Sequence, residues 1–250
     1  MLRLDQYLLQ NGYCRSRSLG AKLVRAGYVF VNGTEQTKPS FPVEEGDVVE
    51  IRENPLTRYV SRGGLKLEAA LTAFGVSPRS LTCIDIGAST GGFTDCLLQH
   101  GARKVYAVDS GTAQLHPSLK DNECVVSLEN TNARFLDEGD VPVSPLVVMD
   151  VSFISQSLIY PAVAKVLSPD GKFISLIKPQ FEVGRENIGS GGIVKSEKAK
   201  AECIEKLRLA ALKYNLFMDQ VMESPITGGD GNTEYLALFH KGQKEKETEE

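Results

Sequence analysis

The spacing of hydrophobic residues changes along the chain and divides it into two parts. In the first part, apolar residues at helical spacing form two short segments, which end at Gly12 and Gly27. Two short runs rich in β-branched and aromatic residues follow, over 28–31 and 47–52, and this composition is typical of strands. The pattern therefore predicts a small α/β domain at residues 1–52.

The rest of the chain alternates apolar runs of strand length with longer segments of helical periodicity. Strands are predicted over 82–86, 104–109, 124–127, 146–150, 172–177 and 234–240. Helices are predicted over 65–74, 93–99, 155–167 and 196–214. Such alternation is typical of a mostly parallel sheet with helices on both faces. We therefore expect a linker at 53–60 and a second domain at 61–242 with a Rossmann-like α/β fold.

Composition and cysteine spacing narrow the classes of protein to which the chain can belong. With 42% hydrophobic and 24% charged residues, the chain of 250 residues has the balance of a globular protein. Its cysteines are odd in number and never spaced as Cys-x-x-Cys, namely Cys14, Cys83, Cys96, Cys124 and Cys203. That spacing argues against a disulfide framework and against a zinc site. We therefore expect no bound metal and a reducing compartment.

Targeting and membrane-spanning signals are missing from the sequence. The first residues lack the apolar core of a signal peptide, and no stretch reaches the roughly 20 apolar residues that cross a bilayer. We therefore expect a cytoplasmic protein without a membrane partner. The last residues are rich in Lys and Glu, and we expect 243–250 to form a disordered tail.

Charge is distributed unevenly between the two predicted domains. Residues 1–40 carry a net charge of +4 within a chain of net charge −4. A basic segment on an acidic protein favours a polyanionic partner at that segment. On charge alone, a solvated basic surface is an equally good interpretation.

The basic residues of this segment stand in a specific string, Arg3-Leu-Asp-Gln-Tyr-Leu, followed by Gly12, Ser-Arg and Ala-Lys-Leu-Val-Arg-Ala-Gly. The string resembles the RNA-binding module named after the fourth small-subunit ribosomal protein. The resemblance implies that its basic side chains contact structured RNA: Arg3, Arg15, Arg17, Lys22 and Arg25. A helical cap that stabilises the larger domain is the alternative.

A glycine-rich turn follows the strand predicted over 82–86. It contains Asp85 and continues as Gly87-Ala-Ser89-Thr90-Gly91-Gly92-Phe93. No Lys-Ser/Thr follows the glycines, and their spacing is not that of a dinucleotide site, so neither a P-loop nor a dinucleotide fingerprint fits. An acid two residues before the first glycine suits S-adenosylmethionine, which has a cationic amino-acid end. A tight turn without a ligand is the alternative.

Two more positions extend this cofactor hypothesis. Asp109 ends the next predicted strand, where an acidic side chain can bind both ribose hydroxyls of a nucleoside. Asn130 follows the third strand and is expected to border the adenine, although a plain polar loop fits that segment nearly as well.

Charged residues at the ends of the later strands supply the candidate chemistry. Asp150 ends the strand predicted over 146–150, and Lys178 ends the strand over 172–177. The carboxyl ends of parallel strands line the ligand crevice, so both side chains are expected beside the cofactor. The chain has neither the Asn/Asp-Pro-Pro-Tyr motif of enzymes that methylate nucleobase amines nor the Pro-Cys pair of those that methylate pyrimidine carbon. Strand-end charges in a solvated loop are the alternative.

The charged residues at these positions resemble those of a known family. Lys66, Asp150, Lys178 and Glu234 match the Lys-Asp-Lys-Glu catalytic tetrad of FtsJ-like ribose 2′-O-methyltransferases, and their contexts resemble the TlyA (hemolysin A-type) members. The resemblance implies a class I methyltransferase fold and transfer of a methyl group from S-adenosylmethionine, which leaves S-adenosylhomocysteine. It also implies a cytidine ribose of ribosomal RNA or ribosomal subunits as substrate. We also expect Arg62 to contact RNA.

Two other interpretations remain open from the sequence. The first is a ribosome-associated protein that holds the cofactor without reacting. The second is a pore-forming hemolysin, which the family name suggests. The missing secretion signal and the lack of an amphipathic membrane segment count against it.

Overall fold

The computed structural model describes residues 1–14, 16–54 and 56–242, which form two compact units that divide between Tyr59 and Val60. Arg15, a predicted RNA contact, and the predicted tail at 243–250 lie outside the described residues. Each unit is described by itself below.

The first unit combines two helices with short strands. Its elements are β1 (Leu2–Arg3), α1 (Leu4–Gln10), α2 (Arg17–Arg25), β2 (Val29–Val31), β3 (Thr34–Gln36), β4 (Pro42–Val43) and β5 (Val49–Ile51). The hydroxyl of Ser16 accepts a hydrogen bond from the Leu19 amide at 3.2 Å and so caps α2. Strand β2 pairs antiparallel with β3 and with β5. Apolar side chains of both helices and of these strands form one core.

Strand β3 was not predicted from the sequence. Its residues Thr34–Gln36 are polar and mostly exposed, so they show no alternation. Asn32 and Gly33 both have positive φ angles, 51° and 75°. Two such residues in succession form a tight turn, which places the following residues beside the preceding strand. Strand β3 therefore forms because of this turn and not because of a hydrophobic pattern.

The second unit contains the alternating elements. They are α3 (Gly63–Phe74), β6 (Thr82–Ile86), α4 (Gly92–Gln99), β7 (Lys104–Val108), α5 (Pro117–Lys120), β8 (Val125–Leu128), β9 (Ser144–Met149), α6 (Tyr160–Val166), β10 (Leu167–Ile177), α7 (Glu197–Leu212), β11 (Leu216–Glu223) and β12 (Tyr235–Lys241). The described strands form one sheet in the order β11-β12-β10-β9-β6-β7-β8. Strands β10, β9, β6, β7 and β8 are parallel, and β12 runs antiparallel to both of its neighbours.

One predicted helix of this unit is shorter than expected, and the elements α5 and β11 were not predicted. The helix predicted over 155–167 is shorter, because a 3-10 turn at Gln156–Leu158 precedes α6 and Leu167 already belongs to β10. Proline lacks an amide hydrogen and suits the first turn of a helix, so Pro161 fits a start at Tyr160. Strand β11 was missed because it is a mostly exposed edge strand without clear alternation.

Helices cover both faces of the sheet, as predicted. Ile84 and Ile86 of β6 pack in the core formed with α6 and α7, whereas Asp85 between them contacts Thr94 of α4 on the other face. Successive strand residues point to opposite faces, so α4 and the pair α6 and α7 lie on different sides. The carboxyl ends of the parallel strands therefore meet at one edge, where Asp109, Asp150 and Lys178 follow β7, β9 and β10.

Candidate active site

The turn between β6 and α4 depends on glycine. Gly87 has φ +81°, and a Cβ at this residue would collide with the carbonyl oxygen of Asp150. Gly91 has φ +93°, and a Cβ there would collide with the side chain of Leu119. Only glycine combines this conformation with such close approach at low cost. The predicted turn is therefore built as the sequence indicated.

Asp109 joins this turn to the loop after β7. Its Oδ2 accepts a hydrogen bond from the Ser89 amide and its Oδ1 accepts one from the Gly111 amide, both at 2.7 Å. An ionised carboxylate has about four acceptor positions, so both oxygens can still bind ligand hydroxyls. Asp109 thus shapes the site as well as facing it, a role that its sequence position did not indicate.

A cavity of about 360 Å³ opens at this edge of the sheet. Ligand pockets in proteins are typically about 300–1,000 Å³. Its lining combines residues from the loops after β6, β7, β8 and β9, among them Gly87, Ser89, Asp109, Thr131, Asn132, Arg134, Asp150 and Phe153. Polar groups therefore converge on a partly enclosed space of ligand size.

Several predicted cofactor residues lie around this cavity without lining it. Asn130 is exposed and its amide donates to the Gly111 carbonyl, while the two following residues line the cavity. Thr90 is exposed, Gly91 and Gly92 lie at the start of α4, and Phe93 is buried in that helix. The four residues 90–93 therefore shape the turn between β6 and α4.

Asp85 lies buried beneath the turn with no exposed surface. Its Oδ2 accepts a hydrogen bond from the Thr94 hydroxyl at 2.6 Å, whereas Oδ1 has no hydrogen-bond partner among the described residues. Burial, together with the negative charges of Asp150 and Asp109, raises the pKa of this carboxyl to about 7, against the opposing effect of Thr94. Three carboxyl groups, those of Asp85, Asp109 and Asp150, thus lie close together at this edge.

The four predicted catalytic residues form two ion pairs. Lys178 Nζ lies 2.5 Å from Asp150 Oδ1 and donates a hydrogen bond to the Ser152 hydroxyl at 2.9 Å. Lys66, which α3 presents, pairs with Glu234 in a largely buried contact. Ile177 of β10 is in register with Tyr235 of β12, so Lys178 and Glu234 leave neighbouring strands at the same edge.

Asn232 was missed from the sequence although it stands in the same Gly-Asn-Thr-Glu string as Glu234. This side chain is 1% exposed; its Nδ2 donates to the Gly192 carbonyl at 2.9 Å and its Oδ1 accepts from the Val194 amide at 3.0 Å. Asn232 therefore fastens the glycine-rich loop before α7 to the segment that delivers Glu234.

An aromatic contact at the cavity was also missed, in which an exposed ring packs against a half-buried one. Phe153 is 90% exposed, has φ +64°, and its ring centre lies 4.9 Å from that of Phe181. A bulky residue with positive φ is uncommon, and such conformations cluster at functional sites. The string Asp150-Val-Ser-Phe contains this residue, but the positive φ of Phe153 cannot be read from the sequence.

The predicted RNA contacts of the first unit fall into two groups. Arg3 and Arg17 both bind the buried carboxylate of Asp5, at 3.1 and 3.0 Å, and they hold the pKa of that carboxyl below its usual range. These two arginines therefore also stabilise the unit. Lys22 and Arg25 are exposed on α2. Arg62, in the second unit, is exposed just before α3.

Within residues 1–14, 16–54 and 56–242, no helix has both the length and the apolar character needed to cross a bilayer.

Comparison with known proteins assigns both parts of the chain. Residues 59–241 match the FtsJ-like methyltransferase family and residues 2–49 match the S4 domain. Hemolysin A of Brachyspira hyodysenteriae is 41% identical over 95% of this chain and 99% of its own length. The 16S/23S rRNA (cytidine-2′-O)-methyltransferase TlyA of Mycobacterium tuberculosis is 39% identical over 94% of this chain and 88% of its own.

Solved structures agree with this assignment. A structure from Streptococcus thermophilus is 42% identical, with a TM-score of 0.75 over 96% of this chain and 88% of that one. The second unit has the class I S-adenosylmethionine-dependent methyltransferase fold, with a mixed sheet in place of a wholly parallel one. The chain belongs to the TlyA/hemolysin A family of FtsJ-like methyltransferases with an N-terminal S4 domain.

Proposed function

We propose that this protein transfers a methyl group from S-adenosylmethionine to the ribose 2′-hydroxyl of a cytidine in ribosomal RNA. The observation that carries the proposal is the pair of ion pairs, Lys178–Asp150 and Lys66–Glu234, at the sheet edge that holds the cavity. The M. tuberculosis relative, whose name states this activity on 16S and 23S rRNA, supports it.

The residues at the cavity fit S-adenosylmethionine. The carboxyl groups of Asp85, Asp109 and Asp150 at this edge suit a ligand with a sulfonium and an ammonium group. Gly87 and Ser89 provide backbone that a ligand can approach, and Asp109 keeps acceptor capacity for ribose hydroxyls. When bound, S-adenosylmethionine supplies an electrophilic methyl carbon on sulfur.

Lys178 is the residue that we assign to the acceptor oxygen. A 2′-hydroxyl is a weak acid, so its oxygen must gain negative charge as its proton leaves. The ion pair with Asp150 holds Lys178 Nζ at this edge of the sheet, where it can stabilise the developing charge if protonated or accept the departing proton if neutral. Lys66 and Glu234, buried beside it, hold the neighbouring strand end in place. Alignment of the acceptor oxygen supplies much of the remaining rate gain.

Phe153 suits the nucleotide that carries this oxygen. Unpaired RNA bases stack on exposed aromatic rings, and this ring borders the cavity next to Ser152, which contacts Lys178.

Methylation of ribosomal subunits is the first test of the proposal. Purified protein with tritium-labelled S-adenosylmethionine and unmodified subunits is expected to label the RNA, and mass spectrometry of the nucleosides should identify 2′-O-methylcytidine. Heat-denatured protein is the control. RNA binding without label would favour the non-catalytic alternative, and label on a base would refute the assigned acceptor.

A second prediction concerns the exposed basic residues of α2. Combining Lys22→Ala with Arg25→Ala should weaken rRNA binding and flatten its salt dependence, because each lost phosphate contact removes roughly 0.7–0.9 of a unit from the logarithmic slope. Both side chains are exposed, so the melting temperature should hold, unlike that of an Arg17 variant, which would lose the Asp5 contact. Lys213→Ala, an exposed substitution in the second unit, is the control. An unaltered slope would favour a purely structural cap.

A further inference from the structure

Two loops carry the residues of the proposed reaction. A buried carboxylate links these loops at a second place, away from the reacting groups. The loop after β9 contains Asp150, Ser152 and Phe153, and the loop after β10 contains Lys178 and Phe181. The first residues of the two loops meet through Lys178, which contacts Asp150 and Ser152. The last residues of the two loops need a separate contact, which keeps the residues between the two contacts in place.

Glu182 provides that connection. Its side chain lies just beyond Phe181 and only 6% of the residue is exposed. Oε2 accepts a hydrogen bond from the Ser155 hydroxyl at 2.7 Å, and Oε1 accepts one from the Gln156 amide at 2.8 Å. Both donors belong to the end of the loop after β9. One carboxylate thus joins the far ends of the two loops.

Gln156 strengthens the same junction. Its Nε2 donates to the Leu176 carbonyl of β10 at 2.5 Å, and its Oε1 accepts from the Ser175 hydroxyl at 2.6 Å. Leu176 lies two residues before Lys178. The end of one loop is therefore anchored both before and after the lysine in the other.

The charge of Glu182 is costly at this position. Burial raises the pKa of its carboxyl, and the hydrogen bonds from Gln156 and Ser155, together with the positive charge of Lys206, oppose that rise. Lys206 itself bonds to the carbonyl oxygen of Glu182 and not to the carboxylate. A buried carboxylate is tolerated when donors satisfy it, and its removal would leave the Gln156 amide buried without an acceptor.

We infer that Glu182 is a positioning residue for methyl transfer, which sets the Phe153–Phe181 pair and the Asp150–Lys178 pair relative to each other. The inference rests on the proposed function. The two rings lie between the anchored ends, and Phe153 keeps its φ of +64° only where surrounding contacts impose it. Glu182 contacts Ser155 and Gln156 and acts through the loop after β9.

The test compares three variants of the full chain. Glu182→Ala removes both hydrogen bonds. Ser155→Ala removes one and leaves the Gln156 amide satisfied, so it stays informative if Glu182→Ala folds poorly. Glu182→Gln keeps the shape, because its amide oxygen can accept from Gln156 and its NH₂ can donate to Ser155, whose hydroxyl can also accept. Glu186→Ala, an exposed glutamate four residues later, is the matched control.

Single-turnover methylation and S-adenosylhomocysteine binding are measured for each variant below its melting temperature. We expect Glu182→Ala to lower the rate by about tenfold or more, on the scale that misplacement of reacting groups costs, with cofactor affinity unchanged. Ser155→Ala should show a smaller loss, while Glu182→Gln and Glu186→Ala should stay near the parent rate. Hydrogen exchange should accelerate in residues 151–156 of Glu182→Ala and not in those of Glu186→Ala.

A double-mutant cycle separates positioning from general destabilisation. If Glu182 acts through Phe153, the rate loss of Glu182→Ala combined with Phe153→Ala will be smaller than the product of the single losses. Independent losses, a parental rate in both Glu182→Ala and Ser155→Ala, or a Glu182→Gln variant as slow as Glu182→Ala would overturn the inference. Inactivity of the parent protein on every rRNA substrate would instead refute the proposed function, and the exchange measurement would still test the junction.

Discussion

Replacing Lys178 with alanine is expected to lower methyl transfer by about 10²-fold or more while leaving cofactor binding nearly intact. This is the scale for removing a positioned charge stabiliser or proton acceptor. The ammonium is held by Asp150 at 2.5 Å and by Ser152 at 2.9 Å, so its geometry is fixed before substrate binds. Single-turnover transfer to ribosomal subunits measures the chemistry, and calorimetry with S-adenosylhomocysteine measures the cofactor site.

Two further lysine substitutions make this test specific. Lys178→Arg keeps a positive charge beside Asp150, yet it should also fail because the planar guanidinium presents its donors differently. Lys172→Ala changes a half-buried lysine in the middle of β10, six residues before Lys178, and should keep activity. Full transfer by Lys178→Ala together with a lower melting temperature would make Lys178 a structural lysine.

The edge of the sheet that carries the site could be predicted from the sequence because strand ends are marked locally. Apolar runs ending in Asp109, Asp150 and Lys178 give both the strands and the points where they stop. In a parallel sheet those points share one edge. This topology also brings Lys178 close to Glu234, since Ile177 and Tyr235 are in register, whereas the pairing of Lys66 with Glu234 depends on how α3 packs.

Contacts between distant segments could not be predicted in the same way. The bond from the Ser89 amide to Asp109 and the bond from the Ser155 hydroxyl to Glu182 join residues of different loops. No spacing in the sequence records such contacts, because they depend on how far each loop turns after its strand. Arg17 shows the same limit: its charge indicated RNA, and only the fold pairs it with Asp5.

Asp85 combines a cost to folding with a benefit to binding. Its carboxyl has no exposed surface, one unpartnered oxygen within the described residues, and two acidic neighbours. An unfolded chain exposes the same group to water, where its pKa is close to 3.8. A buried carboxyl that destabilises the empty protein is retained when its negative charge serves a cationic ligand, as S-adenosylmethionine would be. The negative charge of Asp85 therefore lowers the stability of the folded protein and favours binding of a cationic ligand.

Asp85→Asn is accordingly expected to stabilise the protein at pH 8 and to weaken S-adenosylmethionine binding. With the folded pKa near 7, the favourable protonated state is fully present below pH 4 and its contribution is lost as pH rises from about 4 to 7. At about 1.4 kcal/mol per pKa unit, the gain from asparagine has an upper bound of about 4 kcal/mol at pH 8. The Thr94 hydroxyl can still donate to the amide oxygen, so the packing is kept.

Melting temperatures at pH 5 and pH 8 measure this linkage, with Asp121→Asn, an exposed carboxyl, as control. The difference between Asp85→Asn and the parent should grow from pH 5 to pH 8, whereas the control should show little change at either pH. Calorimetry at pH 8 should show S-adenosylmethionine binding weakened by roughly 1–3 kcal/mol, the range for an interaction with a charged group. A pH-independent difference would mean that Asp85 is not a buried titrating group. Undiminished affinity would mean that its charge does not serve the ligand.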